Sequence, residues 1–233
     1  MMFMQLRVVL VEPEYQQNVG YCARTMANFG YDDLRIVKGI QLGMEAVKYS
    51  KHGAGLLKKA KRIKTLKSAT NGCSIIIGTT ALHGEGRDVL RNAITPKEAA
   101  DRLVGTNVKI ALLIGREGTG LTKREIGMCD FVVRIPTSKE YGTLNISHAL
   151  AIMLYEFRAT SMAKDERMKE VEYLSPMESK VIDQTAKRLV DNMKGIRGYD
   201  TTILSLKRIF RRGIHSQVEG RALINFLKKM RPK

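Results

Sequence analysis

The sequence predicts an α/β protein: a parallel sheet with helices on both faces, followed by a small helical C-terminal extension. Three observations predict it. Five short apolar runs, 6–11, 34–37, 74–77, 109–114 and 131–135, have the length and branched side chains of buried strands. The segments between them carry helix start signals or helix-period apolar stripes. Two of the runs end in loops of unusual make-up, one of them rich in glycine, and two such loops at one sheet edge would form one pocket. On spacing alone, those loops read equally well as ordinary strand-to-helix turns.

Taken in order, Leu6–Val11 is the first strand. The loop 12–17 leads into a helix over 18–30, with Asn18 as the expected N-cap and Gly30 as its stop. At about 100° per residue, Val19, Cys22, Ala23, Met26 and Phe29 share one arc. Asn18, Tyr21, Arg24, Thr25 and Asn28 share the other. Arg24 therefore emerges on a small polar face, where solvation is the ordinary role of an arginine. After the strand 34–37, residues 44–67 are helical in composition and heavily basic. Lys48, Lys51, Lys58, Lys59, Lys61, Arg62, Lys64 and Lys67 stand there against the single Glu45. Such a stretch is either a solvated amphipathic face or an edge that tracks phosphates.

The run 74–77 ends in Gly78-Thr79-Thr80-Ala81, and a polar segment with Arg87 and Arg91 follows. Thr95, Pro96 and Glu98 make a helix start with N-cap, Pro at N1 and Glu at N3. The run 109–114 passes into Gly115-Arg-Glu-Gly-Thr-Gly-Leu121, three glycines around the pair Arg116 and Glu117. Thr122 and Glu125 form a capping box that opens a short helix. The run 131–135 passes into a long loop, 136–145, which feeds 146–156. That last segment is apolar nearly all round and is expected to be a buried helix.

Composition narrows the function classes. A chain of 233 residues with formal charge +17 favours a polyanionic partner, nucleic acid before an anionic membrane. Aromatic residues make up only 6% and Trp is absent, which argues against extensive stacking on single-stranded bases. Cys22, Cys73 and Cys129 are isolated, matching neither a disulfide framework nor a zinc site and suiting a reducing cytoplasm. No apolar run approaches membrane-spanning length, and no His, Cys, Asp and Glu cluster suggests a metal. His83 and His148 receive no role.

Beyond residue 158 the character changes. Residues 159–173 are charged and read as a linker, and 174–233 as three short helices. Ser175, Pro176 and Glu178 open the first of these. Residues 160–233 hold 17 Lys or Arg against 9 Asp or Glu, a composition suited to docking on RNA.

Three motifs carry a family resemblance. They are Asn18-Val-Gly with Ala23-Arg24 and Asn28-Phe-Gly30, then GREGTGL at 115–121, then VVRIPT with YGTLNISHALAIMLYE ending at Glu156. Together they resemble the SPOUT superfamily of knotted methyltransferases, most closely the TrmJ-type tRNA ribose 2′-O-methyltransferases. The resemblance implies a C-terminal trefoil knot in residues 1–158 and S-adenosylmethionine as cofactor. It implies a homodimer with a cross-subunit site, and tRNA as substrate at nucleotide 32 of the anticodon loop. Cofactor-binding positions carried over are Thr79, Thr80, Ala81, Gly115, Ile135, Gly142, Thr143 and Leu144. Arg24, Asn18, Thr143, Asn145 and Glu117 are the implied catalytic set, with Thr143 where the family usually has Ser. Arg87, with Arg91 as an alternative, Arg116, Arg211 and Arg212 are the implied RNA contacts. An rRNA 2′-O-methyltransferase and a non-catalytic RNA-binding protein are the alternative readings.

Overall fold

The computed structural model describes residues 4–81, 93–164, 175–192, 198–214 and 216–229. Within them lies a seven-stranded sheet, parallel at every pairing. In chain order the strands are β1 (Leu6–Val11), β2 (Asp33–Val37), β3 (Lys61–Ile63), β4 (Ile75–Thr79), β5 (Ala93–Ile94), β6 (Ile110–Ile114) and β7 (Phe131–Val133). Their order across the sheet is β3-β2-β1-β6-β4-β7-β5. The chain therefore winds outward from β1 to one edge, crosses over, and later inserts β6 between β1 and β4. Carboxyl ends of β4, β6 and β7 are thus neighbours, the arrangement that forms a crevice in open α/β sheets.

Both faces of the sheet are covered, which explains why the strands read as continuous apolar runs. Leu6, Val8 and Leu10 join Ile110, Leu112 and Ile114 in one core layer. Three helices cover that layer, α1 (Gln16–Phe29), α5 (Pro96–Leu103) and α7 (Ile146–Lys164). Val9, Val11, Ala111 and Leu113 face the other way, toward α4 (Leu66–Thr70) and α6 (Lys123–Gly127). One charge interrupts β1. Arg7, 4% exposed, donates to Asp33 at 2.9 Å and to the carbonyls of Ala69 and Asn71 at 3.0 and 2.7 Å. Burial pushes the Asp33 carboxyl up, but hydrogen bonds from Lys109 and Arg7 outweigh it and hold it low.

The expected basic helix over 44–67 is not one element. It divides into α2 (Met44–Ser50), a 3₁₀ turn (Lys51–Gly53), α3 (Ala54–Lys59), strand β3 and the start of α4. The break follows from a close crossing with α1. A Cβ on Gly53 would meet the Ala23 carbonyl at 2.6 Å, and one on Gly20 would meet the Ala46 carbonyl at 2.5 Å. Only glycine lets the two backbones touch at both points. β3 escaped the composition because an edge strand of three residues, two of them charged, has no apolar run. Asn18 is likewise not the N-cap of α1. That position belongs to Tyr15, which makes no side-chain cap bond, while Gly30 ends the helix with φ 78° as expected. The capping boxes at Thr95, Thr122 and Ser175 all form.

Helix α7 buries Leu150, Met153, Leu154 and Phe157 completely but leaves His148 and Tyr155 exposed, so its apolar surface is only partly covered. It continues through 159–164. Beyond it lie α8 (Pro176–Asp191), α9 (Tyr199–Gly213) and α10 (Gln217–Lys229), gathered on Ile182, Ile214 and Ile224. One buried side chain of this cluster reaches the sheet domain. Arg208 of α9, 3% exposed, donates to the Cys129 carbonyl at 3.2 Å and the Ile126 carbonyl at 3.1 Å. Both acceptors lie at the C-terminal end of α6, where the Ile126 carbonyl also accepts from the Cys129 N–H at 3.0 Å. No helix among the described residues is long and apolar enough to cross a membrane.

Candidate active site

Three strand ends build one cavity. Thr79, Thr80 and Ala81 leave β4, residues 115–121 leave β6, and Ile135 with 142–144 belong to the segment after β7. The cavity measures about 180 Å³. All eight positions implied as cofactor-binding line it: Thr79, Thr80, Ala81, Gly115, Ile135, Gly142, Thr143 and Leu144. Apolar residues without such an expectation close its base, among them Ile114, Leu121, Val133 and Ala149. Each sits at a strand end, in its loop or on the following helix, but nothing in residue type marks it as lining rather than core.

The glycine-rich loop is held shut by its own backbone. Arg116 and Gly120 exchange N–H to carbonyl bonds at 3.2 and 3.0 Å. Gly120 adopts φ 66°, which favours glycine. Arg116 then anchors the loop to the sheet domain. Its Nε and Nη2 donate to Glu12 at 2.9 and 2.7 Å. Nη1 and Nη2 donate to Glu125 at 3.0 and 3.1 Å, and Nη1 also reaches the Gly120 carbonyl at 3.2 Å. These contacts occupy the donors that a phosphate would need, and the side chain is only 15% exposed. Arg116, which the resemblance implies as an RNA contact, braces the pocket loop in this structure.

A second network locks the mouth. Glu117 accepts from the backbone N–H groups of Glu14 at 2.9 Å and Tyr15 at 3.4 Å, and from Asn18 Nδ2 at 3.0 Å. It thereby places a negative charge at the amino end of α1 and supplies the cap that Tyr15 does not. Asn18 Oδ1 in turn accepts from Asn145 Nδ2 at 2.8 Å. The Asn145 side-chain oxygen accepts from the N–H and hydroxyl of Ser147, both at 2.8 Å, so Asn145 is the N-cap of α7. Three of the implied catalytic residues thus join α1, the glycine-rich loop and α7. Asn18 spends its amide on this network and none of it on Arg24. Ser147 was not anticipated, although Asn-x-Ser ahead of an apolar run is a readable helix start.

Arg24 stands apart. It is exposed, does not line the cavity of its own chain, and its guanidinium makes no hydrogen bond or ion pair with the described residues. Thr143 is exposed at the cavity rim. Arg87 and Arg91 lie outside the described residues. Arg211 and Arg212 fall on the last turn of α9, and their side chains are outside the described ones. Among the described residues no group of three His, Cys, Asp or Glu converges as a metal site. Burial raises the thiols of Cys22 and Cys129, which therefore offer no thiolate.

Comparison with known proteins agrees with this architecture. The family model described as SpoU rRNA Methylase matches residues 5–155. A tRNA (cytidine-2′-O-)-methyltransferase TrmJ of Methanocaldococcus jannaschii is 41% identical over 157 residues, 66% of this chain and 68% of that protein. The protein of the same name from Sulfolobus acidocaldarius is 32% identical over 228 residues, 97% of this chain and 94% of its own. Among solved structures, TrmJ from Z. mobilis ZM4 superposes with TM-score 0.72 at 22% identity, covering 96% of this chain and 98% of that one. AviRb from Streptomyces viridochromogenes, solved with the cofactor AdoMet, superposes with TM-score 0.54 at 19% identity, over 70% and 60% of the two chains. At those identities the two structures speak for the fold alone. With the family match spanning the whole sheet domain and the mouth of its cavity, this chain belongs to the SpoU rRNA methylase family.

Proposed function

We propose that the protein is an S-adenosylmethionine-dependent tRNA ribose 2′-O-methyltransferase, acting as a homodimer at nucleotide 32 of the anticodon loop. One observation carries the reading: positions from three loops, far apart in sequence, line a single cavity at the carboxyl edge of a parallel sheet. The relatives named as tRNA 2′-O-methyltransferases support tRNA over rRNA. We further read the loops after β6 and β7 as threaded in a trefoil knot. Residues 1–158 would be the catalytic unit, 159–173 the linker and 174–233 a tRNA-docking extension.

The cavity suits the cofactor. In a chain of formal charge +17, its charged lining is one arginine and one glutamate, the arginine already neutralised by two carboxylates. A cationic sulfonium meets no free positive charge there. Backbone at the end of β4 (79–81) and in the loop before α7 (142–144) would hold the polar groups of the nucleoside, and Ile114, Leu121, Ile135 and Leu144 would flank its ring. S-adenosylmethionine supplies an electrophilic methyl group when bound, and no metal is required for an in-line displacement.

The chain's own work is positioning. Glu117, Asn18 and Asn145 hold the pocket loops against α1, so that the rim presented to the ribose is rigid. Arg24 cannot take the 2′-hydroxyl proton, because a guanidinium stays charged. It grips the neighbouring phosphate bidentately and orients the hydroxyl, and phosphate or water accepts the proton. Its absence from its own cavity supports a site in which the partner subunit supplies the arginine.

Subunit mixing tests this. Arg24→Ala should lose methyl transfer at unchanged cofactor affinity. Gly142→Leu should lose cofactor binding while folding normally, since a Cβ there meets only Thr137 Oγ1 at 3.5 Å and the Ser138 carbonyl at 3.7 Å. A heterodimer of the two variants contains one complete site only if the arginine acts across the interface. Recovered ribose methylation of tRNA, mapped by mass spectrometry, supports the reading. Silence after verified subunit exchange refutes the cross-subunit site, and methylation of rRNA but not tRNA refutes the substrate.

A further inference from the structure

Beside α1 lies a basic surface that the site above does not use. Lys48 on α2, Lys51 at the 3₁₀ turn, and Lys58 and Lys59 at the end of α3 are all exposed, and none pairs with a carboxylate of the described residues. The nearby Glu45 accepts from Gln17 Nε2 at 2.8 Å and makes no ion pair with these lysines. Surface lysines that merely confer solubility are normally interspersed with acids.

This surface is built onto the helix that carries Arg24. A Cβ on Gly53 would stand 2.6 Å from the Ala23 carbonyl and 2.7 Å from the Arg24 backbone nitrogen, so the turn holding Lys51 rests on α1 at Arg24 itself. On the other side, the Tyr21 ring of α1 and the Tyr49 ring of α2 lie 5.1 Å apart, and Lys48 Nζ sits 5.6 Å from the Tyr49 centroid. At this crossing Lys51 adopts φ 47°, ψ −119°, a conformation that residues other than glycine avoid. Strain of that kind persists only where its surroundings over-determine it. Lysines placed on β3 to guard a free sheet edge would explain Lys61. They do not explain Lys48, Lys51, Lys58 and Lys59, which are on helices and a turn.

We propose that Lys48, Lys51, Lys58 and Lys59 form a phosphate-tracking surface that carries the RNA backbone along α2 and α3 to Arg24. The inference rests on the reading of the chain as a tRNA-binding enzyme and adds where the substrate strand runs. It is a second RNA surface, on the sheet domain and independent of the C-terminal helices. Because the contacts are to phosphate, they position the strand and read no sequence.

The experiment is a salt series of binding constants for a fluorescently labelled, unmodified tRNA transcript on the full-length protein. Each phosphate contact contributes about 0.7–0.9 to the slope of log affinity against log salt. Changing all four lysines to Gln should lower the slope by about 3 and weaken binding at least about tenfold at low salt. A four-site Lys→Arg variant should keep both. Cofactor titration and thermal unfolding establish that each variant is folded; should the Gln variant fail there, four single substitutions replace it, each expected to lower the slope by about 0.7–0.9. An unchanged slope in folded variants overturns the surface. So does a loss confined to anionic phosphatidylserine vesicles with tRNA binding intact, which would assign the patch to a membrane. Binding is measured without turnover, so the two readings can fail separately. Wild-type protein that binds tRNA with the steep slope yet transfers no methyl group would refute the enzymatic reading and leave this surface standing.

Discussion

Gly115 and Gly142 line the same cavity, yet one added methyl group should cost stability at only the first. At Gly115 a Cβ would lie 2.3 Å from the Gly120 carbonyl carbon, 2.5 Å from Leu121 N and 2.7 Å from the Gly120 oxygen. Ordinary carbon contacts begin near about 3.5 Å, so the strand end and the loop must part by roughly 1 Å. Every obstructing atom is backbone, and the loop is braced by the paired bonds between Arg116 and Gly120 and by the Arg116 bonds to Glu12 and Glu125. Overpacking against so little freedom costs about 1–3 kcal/mol. A loss of about 2 kcal/mol corresponds to a Tm fall of roughly 4–8 °C in a chain of this size. At Gly142 the nearest atoms are at 3.5 and 3.7 Å and φ is not positive, so Gly142→Ala should stay within about 0.5 kcal/mol of wild type. Thermal and urea unfolding, with calorimetric titration of S-adenosylmethionine, measure both. Gly115→Ala should lose stability and cofactor binding together, whereas Gly142→Ala can lose only the second. A Gly115→Ala protein with wild-type Tm and wild-type cofactor affinity would refute both the packing and the placement of the pocket.

Other expectations concern the braces around that pocket. Glu117→Gln removes the charge that caps α1 and turns one acceptor into a donor facing N–H groups; a loss of about 1–2 kcal/mol and a loosened rim should appear as weaker tRNA methylation. Undiminished stability and activity would return Glu117 to a passive role. Acid should release the Arg116 clamp. Hydrogen bonding by Arg116, then Lys38, holds Glu12 low, and at Glu125 burial pushes the carboxyl up but bonds from Arg116 and Thr122 outweigh it. Carboxyls lowered on folding stabilise fully at neutral pH, and that contribution is lost as pH falls through and below about 4. Glu12→Gln should therefore flatten the acid limb of urea midpoints measured from pH 7 to 3, and an unaltered limb would contradict the clamp. Arg208→Ala strips the Ile126 and Cys129 carbonyls of a buried charged donor, at a cost of about 1.5–3 kcal/mol. Removal of 165–233 should destabilise the sheet domain for the same reason, and a truncated protein with wild-type Tm would show that α9 does not dock there.

What the amino-acid sequence determined by itself is local or periodic. Five of the strands are legible because a strand covered on both faces is apolar at most positions, and capping boxes at Thr95, Thr122 and Ser175 are complete within four residues. Motif resemblance placed the cavity lining at 79–81, 115, 135 and 142–144, although composition alone left those loops as ordinary turns. Tertiary structure decided whatever depends on partners distant in the chain. Arg116 reads as a free cation beside glycines; only the fold brings Glu12, 104 residues away, and Glu125 to the same guanidinium. Asn18 reads as a helix cap, yet the cap comes from Glu117, 99 residues on, because α1 starts at Gln16 beneath that loop. The basic stretch 44–67 reads as one helix, since propensity cannot register that two glycines, Gly20 and Gly53, let α1 cross at backbone contact and end it. Side-chain type constrains a neighbourhood of a few residues, whereas which long-range donor meets which acceptor is settled by strand order, and that order is a property of the whole sheet.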